Sequence, residues 1–308
     1  MDGSCNIVLF IFVWLLTLSN VDLCICNASS EVQCIPIEQD ALLKMKRHLS
    51  DPSNRLASWS PHENCCNWAL VVCHNITGHV LELHLTSPPP FEFINGETIY
   101  ETSVFGGEVH PSLLDLKHLN YLDLSGNYFG DMQIPNFLGL MSSLTYLNLS
   151  DAGFGGSIPI QFWNLSNLIY LDLGRNYNLE GSIPHQIGKL TNLQYLDLGD
   201  NDFNGSFPHQ IGNLSNLHYL DLRGNEFSGS IPHQIGNLSN LHYLDLRGNE
   251  FSGSIPHQIG NLSNLINLHL GNRLLSISVE NLRSILTLSS LQYLELGYVN
   301  LSNTFDWL

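Results

Sequence analysis

The segment L-x-Y-L-x-L recurs through the chain, with its aromatic position at Tyr121, Tyr146, Tyr170, Tyr195, Tyr219 and Tyr243, then Asn267 and Tyr293. The intervals are 25, 24, 25, 24, 24, 24 and 26 residues. A globular fold without repeats has no physical reason to keep that register, whereas a solenoid must, because each turn stacks on the one before it. The stretches Asn213 to Gly236 and Asn237 to Gly260 are identical over all 24 residues, which reads as a tandem duplication of one structural unit.

Within a unit the pattern is L-x-x-L-x-L-x-x-N-x-F-x-G-x-I-P-x-x-I-G, as in Leu217, Leu220, Leu222, Asn225, Phe227, Gly229, Ile231, Pro232, Ile235 and Gly236. Alternation in L-x-L predicts a short strand with both leucines facing inward and the residues around them facing out. Asn then turns the chain. Its side chain can both donate to and accept from backbone groups of adjacent coils, so Asn127, Asn176, Asn201, Asn225 and Asn249 are expected to form a ladder that satisfies buried polar groups. The remaining Phe, Ile and Leu positions fill the interior, and no coil can bury its apolar face alone.

Among 308 residues only 13% are charged, with 11 Lys+Arg against 28 Asp+Glu and a formal charge of −17. An acidic surface of this kind repels phosphate backbones, so no nucleic acid is expected as a partner. Residues 1–26 read as a secretory signal, since Ile7 to Leu18 is an apolar run too short to span a bilayer, although the segment before it carries Asp2 and no Lys or Arg. No second run of 18 or more apolar residues follows, so no membrane helix is expected in the chain. Cleavage after Cys26 leaves an even set, Cys34, Cys65, Cys66 and Cys73, as expected for disulfides in an exported protein. Adjacent cysteines rarely bridge each other, so pairing joins Cys34 and Cys73 to the Cys65/Cys66 doublet in an order the sequence leaves open. No metal-ligand spacing accompanies them, and no cofactor is implied.

The repeat resembles the leucine-rich repeat, and Gly-x-Ile-Pro at Gly181 to Pro184, Gly229 to Pro232 and Gly253 to Pro256 is similar to the plant extracellular subclass. Three stretches resemble that family's N-terminal cap: the one from Cys34 to Lys46, Asp51-Pro-Ser-Asn-Arg-Leu-Ala-Ser-Trp, and the one from Cys65 through Cys73 to Leu83. The helical pattern over 39–49, with Ala41, Leu42, Met45 and Leu49 on one side, suits a cover for the open end of the first coil. The resemblance implies an α/β repeat solenoid, a right-handed superhelix with a concave parallel β-sheet. It also implies a cap over 27–79 with bridges Cys34–Cys65 and Cys66–Cys73, and about nine repeats over 80–308. It is similar to plant receptor-like proteins of the kind that includes ethylene-inducing-xylanase receptors. Departures are Leu70, where the cap usually has Gly and the loop is either strained or only repacked, and an irregular insert at 86–105. The repeat decays at Arg273 and Val299, and the stop at Leu308 in mid-coil reads as a truncated gene model or fragment.

Function in such a solenoid is expected on the exposed strand face, about 40 Å long at ~4.8 Å per strand, which suits a peptide or protein edge better than a small metabolite. The candidate ligand-binding residues are Tyr170, Asp172, Arg175, Tyr195, Asp197, Asp200, His218, Tyr219, Asp221, Arg223, His242, Tyr243, Asp245, Arg247, Asn267 and His269. Most of the Tyr and Asp columns have an ordinary structural reading, so contact is expected above all where the repeat varies, and the acidic column weakly suggests a basic ligand. N-x-S/T sequons stand at Asn27, Asn75, Asn148, Asn164, Asn204, Asn213, Asn237, Asn261 and Asn300. Asn164, Asn213, Asn237 and Asn261 share one place in the coil, where crowding predicts incomplete occupancy. A glycan on Asn148 would sit on the concave face, which directs ligand to residues 170–270. Ser, His and Asp recur with the structural period and make no unique triad, so catalysis is not expected. His185, His209, His233 and His257 read as buried or satisfied turn residues.

Two functional classes follow. One is a receptor-like ectodomain for a peptide or protein ligand, microbial or endogenous, working in defence or development through a membrane receptor kinase acting as co-receptor. The other is a secreted inhibitor similar to the polygalacturonase-inhibiting proteins. A fragment without retained activity is the remaining reading. The expected location is the secretory pathway and the extracellular space, or the outer face of the plasma membrane.

Overall fold

A computed structural model describes residues 32–87, 92–94, 97–99, 104–271, 277–278 and 283–300. The expected signal segment, Asn27, Arg273 and the final residues 301–308 lie outside the described residues. A helix, Pro36–His48, opens the cap with Pro at its start and Lys46, Arg47 and His48 in its last turn, where their charge complements the helix dipole. It buries Ala41, Leu42 and Met45, and the Ser112 hydroxyl of the first coil donates to the Ala41 carbonyl at 2.8 Å. The cap cysteines pair Cys34–Cys65 and Cys66–Cys73. Leu70 has a left-handed backbone, φ 69°, and is half-buried against the core, so the loop is both strained and repacked.

From the cap the chain enters a ten-stranded sheet. An antiparallel pair, Val71–Cys73 and Val80–His84, starts it, and eight parallel strands from Tyr121–Asp123 to Tyr293–Glu295 continue it in chain order. The register is uninterrupted: Tyr170, Leu171 and Asp172 pair with Tyr195, Leu196 and Asp197, and the same triplets align in the next coils. The irregular insert leaves it intact, because Leu83 still pairs with Leu122. Part of the insert forms a small antiparallel hairpin, Glu92–Ile94 with Glu97–Ile99, and it ends at Phe105, which is buried.

Two features differ from the α/β expectation. The back of each coil is a five-residue 3-10 turn, such as His209–Asn213 or His233–Asn237, and the only α-helices among the described residues are Pro36–His48 and Arg283–Leu286. The reason is length and proline: Pro208 or Pro232 starts the turn, i→i+3 bonds such as Ile211 N–H to Pro208 C=O close it, and the chain must return to the sheet at once. The second feature is another parallel sheet of six strands, from Met132–Gln133 to Glu250–Phe251, built from the N-x-F-x-G stretch. Between the two sheets and the turns lies one continuous core of Leu, Ile and Phe, including the stacked Phe129 and Phe154.

The asparagine ladder stands between strand and second sheet. Asn225 Nδ2 donates to the Leu198 and Leu222 carbonyls at 2.9 and 3.1 Å, and its Oδ1 accepts the Phe203 backbone N–H at 3.0 Å. Asn176 and Asn249 bond in the same way to their neighbours. Ala152 occupies the rung between Asn127 and Asn176, and there the backbone N–H of Ala152 donates to Asn176 Oδ1 at 3.1 Å.

Candidate functional site: the concave face

Three columns of side chains run along the inner wall. In the central one the rings of Tyr121, Tyr146, Tyr170, Tyr195, Tyr219 and Tyr243 stack with centroids 4.0 to 4.4 Å apart. That spacing is imposed by parallel strands about 4.8 Å apart, so the stack follows from the register. The hydroxyls of Tyr170, Tyr219 and Tyr243 donate to Oδ2 of Asp172, Asp221 and Asp245 at 3.3, 3.4 and 3.2 Å. Desolvation, then the nearby carboxylates, holds the phenol of Tyr243 up to about 12 and those of Tyr170, Tyr195 and Tyr219 higher, so none ionises in ordinary conditions.

The acidic column is structural. Oδ1 of Asp172, Asp197, Asp221 and Asp245 accepts the backbone N–H two residues on, at 3.0, 2.8, 2.9 and 3.0 Å, which caps the turn out of each strand. Asp221 and Asp245 are completely buried and lie beneath Arg223 and Arg247, with Nη1–Oδ2 3.0 Å and Nη2–Oδ2 2.6 Å. These two carboxylates therefore have no surface to offer a ligand, which corrects their place among the contact residues. It also removes the argument for a basic ligand, since guanidinium groups face solvent there. Burial pushes the Asp197 carboxyl up to about 6, with the charge of Asp172 adding to it, and pushes Asp221 up to about 7, with Asp197 adding and Arg223 opposing. The Asp172 carboxyl is raised by desolvation too.

What remains accessible lies on either side of the Tyr stack. Before it, His218 and His242 are exposed and stack on each other at 5.3 Å, in line with Gln194 and with Ile169, which is 41% exposed. Gln194 and Ile169 were absent from the sequence-based set; their signal is the variable position of L-x-Y-L, outward by alternation. After it come Arg175, Asp200, Arg223 and Arg247. Arg223 reaches Asp200 at 3.3 Å, and Arg247 reaches Glu295 at 2.7 Å, which also meets His269 Nδ1 at 3.0 Å. Asn267 is half-exposed and continues the Tyr column. The structure thus brings Tyr170, Tyr195, Tyr219, Tyr243, His218, His242 and the arginines onto one wall and withdraws Asp172, Asp221 and Asp245 from it, while Asp197 and Asp200 stay partly exposed.

Asn148 belongs to the same column. It stands at an Asp position, is 9% exposed, and its Oδ1 accepts both the backbone N–H and the hydroxyl of Ser150 at 3.0 and 2.7 Å. A glycan would be carried on Nδ2, which takes no part in this cap, so the cap and a glycan at Asn148 are compatible. The other described sequon asparagines, Asn75, Asn164, Asn204, Asn213, Asn237, Asn261 and Asn300, are exposed. His185, His209, His233 and His257 are exposed as well, not buried, because each is the first residue of a 3-10 turn on the outer side. Three cap sulfurs, of Cys34, Cys65 and Cys66, lie close together, but all are bridged and provide no thiolate for a metal.

Comparison with known proteins accords with this architecture. Family models match as a leucine rich repeat N-terminal domain over residues 37–74, as leucine rich repeats over 118–141 and 142–203, and as a leucine-rich repeat region over 202–305. Receptor-like protein EIX2 of Solanum lycopersicum is 44% identical over 119 residues, covering 39% of this chain and 11% of that protein. The chain is built of leucine-rich repeats and is similar to plant receptor-like proteins. It spans about a tenth of the length of the curated receptor-like relatives it matches first. Polygalacturonase inhibitor 1 of Arabidopsis thaliana is 31% identical over 140 residues, 41% of this chain and 38% of that one. Among solved structures, the Arabidopsis receptor kinase HAESA, in complex with the peptide hormone IDA and the co-receptor SERK1, superposes with a TM-score of 0.73 at 29% identity, over 85% of this chain and 41% of that one. Among the described residues of this leucine-rich-repeat chain, no helix is long and apolar enough to cross a membrane.

Proposed function

We propose that the chain is an extracellular, non-catalytic recognition ectodomain whose concave wall binds an extended peptide or a protein edge. The observation that carries this is the wall itself: an uninterrupted parallel sheet with six tyrosines in register, flanked by exposed His218 and His242 on one side and Arg223 and Arg247 on the other. Tyr and Arg supply large, preorganised contact area with a polar edge, as anchor residues do. The backbone is satisfied within the sheet, so a ligand is read by side chains. The relatives' character supports the reading: they are receptor-like proteins, and HAESA holds a peptide hormone. Catalysis finds no support in this wall, because its carboxylates are engaged in turn caps and ion pairs. Signalling in defence or development through a partner kinase, with a microbial or endogenous ligand, completes the proposal, along with export through the secretory pathway and glycans at the exposed sequons.

The test uses the full chain secreted from insect cells and immobilised, with peptides from plant extracellular fluid and from fungal culture filtrate as probes. Retention of defined peptides by the wild type, reduced tenfold or more by His218→Glu with His242→Glu, is the expected result. Equal retention by both proteins refutes the concave-face reading. Inhibition of a fungal polygalacturonase without peptide retention points instead to the inhibitor class.

A further inference from the structure

The two bridges of the cap stand in different surroundings. Cys34 and Cys65 are buried, and Cys65 is fully enclosed in the hydrophobic core. Cys66 and Cys73 are half-buried. Cys73 ends the strand Val71–Cys73, which is the outermost strand of the ten-stranded sheet among the described residues. Beside this second bridge lies a cavity of about 360 Å³, walled by Cys66 and Cys73 themselves together with Val71, Val72, His74 and Asn75. That volume falls at the lower end of the range for small-molecule sites, and here a reactive bond forms part of the wall.

Behind the accessible bridge stands the buried one. The sulfurs of Cys34, Cys65 and Cys66 all lie within 4.8 Å of one another, and Cys73 is outside that cluster. A thiolate freed on Cys66 therefore lies next to the Cys34–Cys65 bond. Cys65 and Cys66 are neighbours in the 3-10 turn Cys65–Asn67, so either can serve Cys34. The two orders of pairing open to an adjacent doublet are thus connected by one exchange step, in which a thiolate attacks a disulfide sulfur.

We propose that the Cys66–Cys73 bridge is an S-thiolation site: a small thiol entering the cavity attacks Cys73, and the Cys66 thiolate that it releases re-pairs with Cys34. In the first exchange a bond forms between the thiol sulfur and Cys73 Sγ, and the bond between the sulfurs of Cys66 and Cys73 breaks with its electron pair leaving on Cys66. In the second, Cys66 Sγ bonds Cys34 Sγ and Cys65 leaves as thiolate, taking up from solvent the proton that the small thiol lost. One thiol is consumed and one is formed, so no outside oxidant is required. Cys65 is left as a protonated thiol in the hydrophobic core, where it is a poor nucleophile, and the return attack is slowed. Attack on Cys66 goes no further, because the Cys73 thiolate it frees is outside the sulfur cluster and closes again on Cys66. None of these residues belongs to the Tyr, His or Arg columns, so the site stands whether or not the concave wall takes a peptide.

The test treats the folded full chain, secreted from insect cells with both bridges formed, with millimolar glutathione at mildly alkaline pH and without denaturant. The reaction is quenched with acid, free thiols are blocked with N-ethylmaleimide, and the products are mapped by mass spectrometry. Chymotrypsin cuts after Trp68 and so separates Cys73 from the doublet, while fragmentation between Cys65 and Cys66 assigns the group on each. Glutathione on Cys73, maleimide on Cys65 and a bond between Cys34 and Cys66 are expected. Val72→Trp, which fills part of the cavity from a residue that is 41% exposed, should slow the modification at least threefold. Cys34→Ala with Cys65→Ala removes the relay and should carry at least fivefold less glutathione on Cys73, because the Cys66 thiol expels it. Val72→Trp keeps both bridges, so it reads the cavity even if the cysteine variant does not fold. Glutathione absent from Cys73, spread over all four cysteines, or accompanied by an intact Cys34–Cys65 bridge overturns the proposal, as does a Val72→Trp rate reduced less than threefold.

Discussion

Replacing Asp197 by Asn separates the two things this carboxylate does. Oδ1 caps the turn by accepting the Gly199 N–H at 2.8 Å, and an amide oxygen does the same at Asn148, which accepts the Ser150 N–H at 3.0 Å in the equivalent place. The substitution therefore keeps the cap and removes only the charge. In the folded chain burial and the charge of Asp172 raise the Asp197 carboxyl from 3.8 to about 6. A raised acid binds more protons folded than unfolded, so its contribution is fully present below pH ~4 and is lost as pH rises through about 6. At 1.36 kcal/mol per unit, a shift of roughly two units sets a ceiling of about 3 kcal/mol on the charge penalty at neutral pH. Asp197→Asn should then stabilise the chain by about 1–3 kcal/mol at pH 7.5 and change it little at pH 4. Urea denaturation followed by tryptophan fluorescence at the two pH values measures this. An equal difference at both, or a destabilised variant at pH 7.5, would refute the reasoning. Asp221, raised in the same direction, should give the same sign in the wild type: stability declining between pH 4 and 7.5.

Two further changes probe the scaffold. Asn225→Ala strands the Phe203 N–H in the core and takes one of two side-chain donors from each of the Leu198 and Leu222 carbonyls, which keep Asn201 and Asn249. At about 1–3 kcal/mol for the one buried group left unmet, with a smaller loss at the two carbonyls, it should cost about 2–4 kcal/mol, while a loss under 1 kcal/mol in urea melts would deny the ladder its role. Removing the Cys34–Cys65 bridge, with a sequence separation of 31, should cost about 3–4 kcal/mol, against about 2–3 kcal/mol for Cys66–Cys73, with a separation of 7, if the bridges act by limiting the unfolded chain. Pairwise Cys→Ser variants compared by denaturant midpoint check the order.

The amino-acid sequence by itself determined the solenoid, the inward leucines, the asparagine ladder and the cap helix, because these depend on what recurs within one coil: alternation, period and residue type. It did not reveal that the second sheet would form, since N-x-F-x-G acquires strand character only when the coil beside it presents matching backbone. Nor could it show which polar columns reach solvent. Asp221 and Asp245 look outward by alternation, yet the turn cap and the arginines two residues on cover them, while Gln194 and Ile169 stay open. The exposure of Tyr177 and the buried Oδ1 of Asn201, which finds no donor among the described residues, become visible only when coils of 25 and 24 residues are laid side by side. Periodicity is a local property and is written into each repeat; accessibility and register depend on neighbours two dozen residues away, and only the stacked coils decide them.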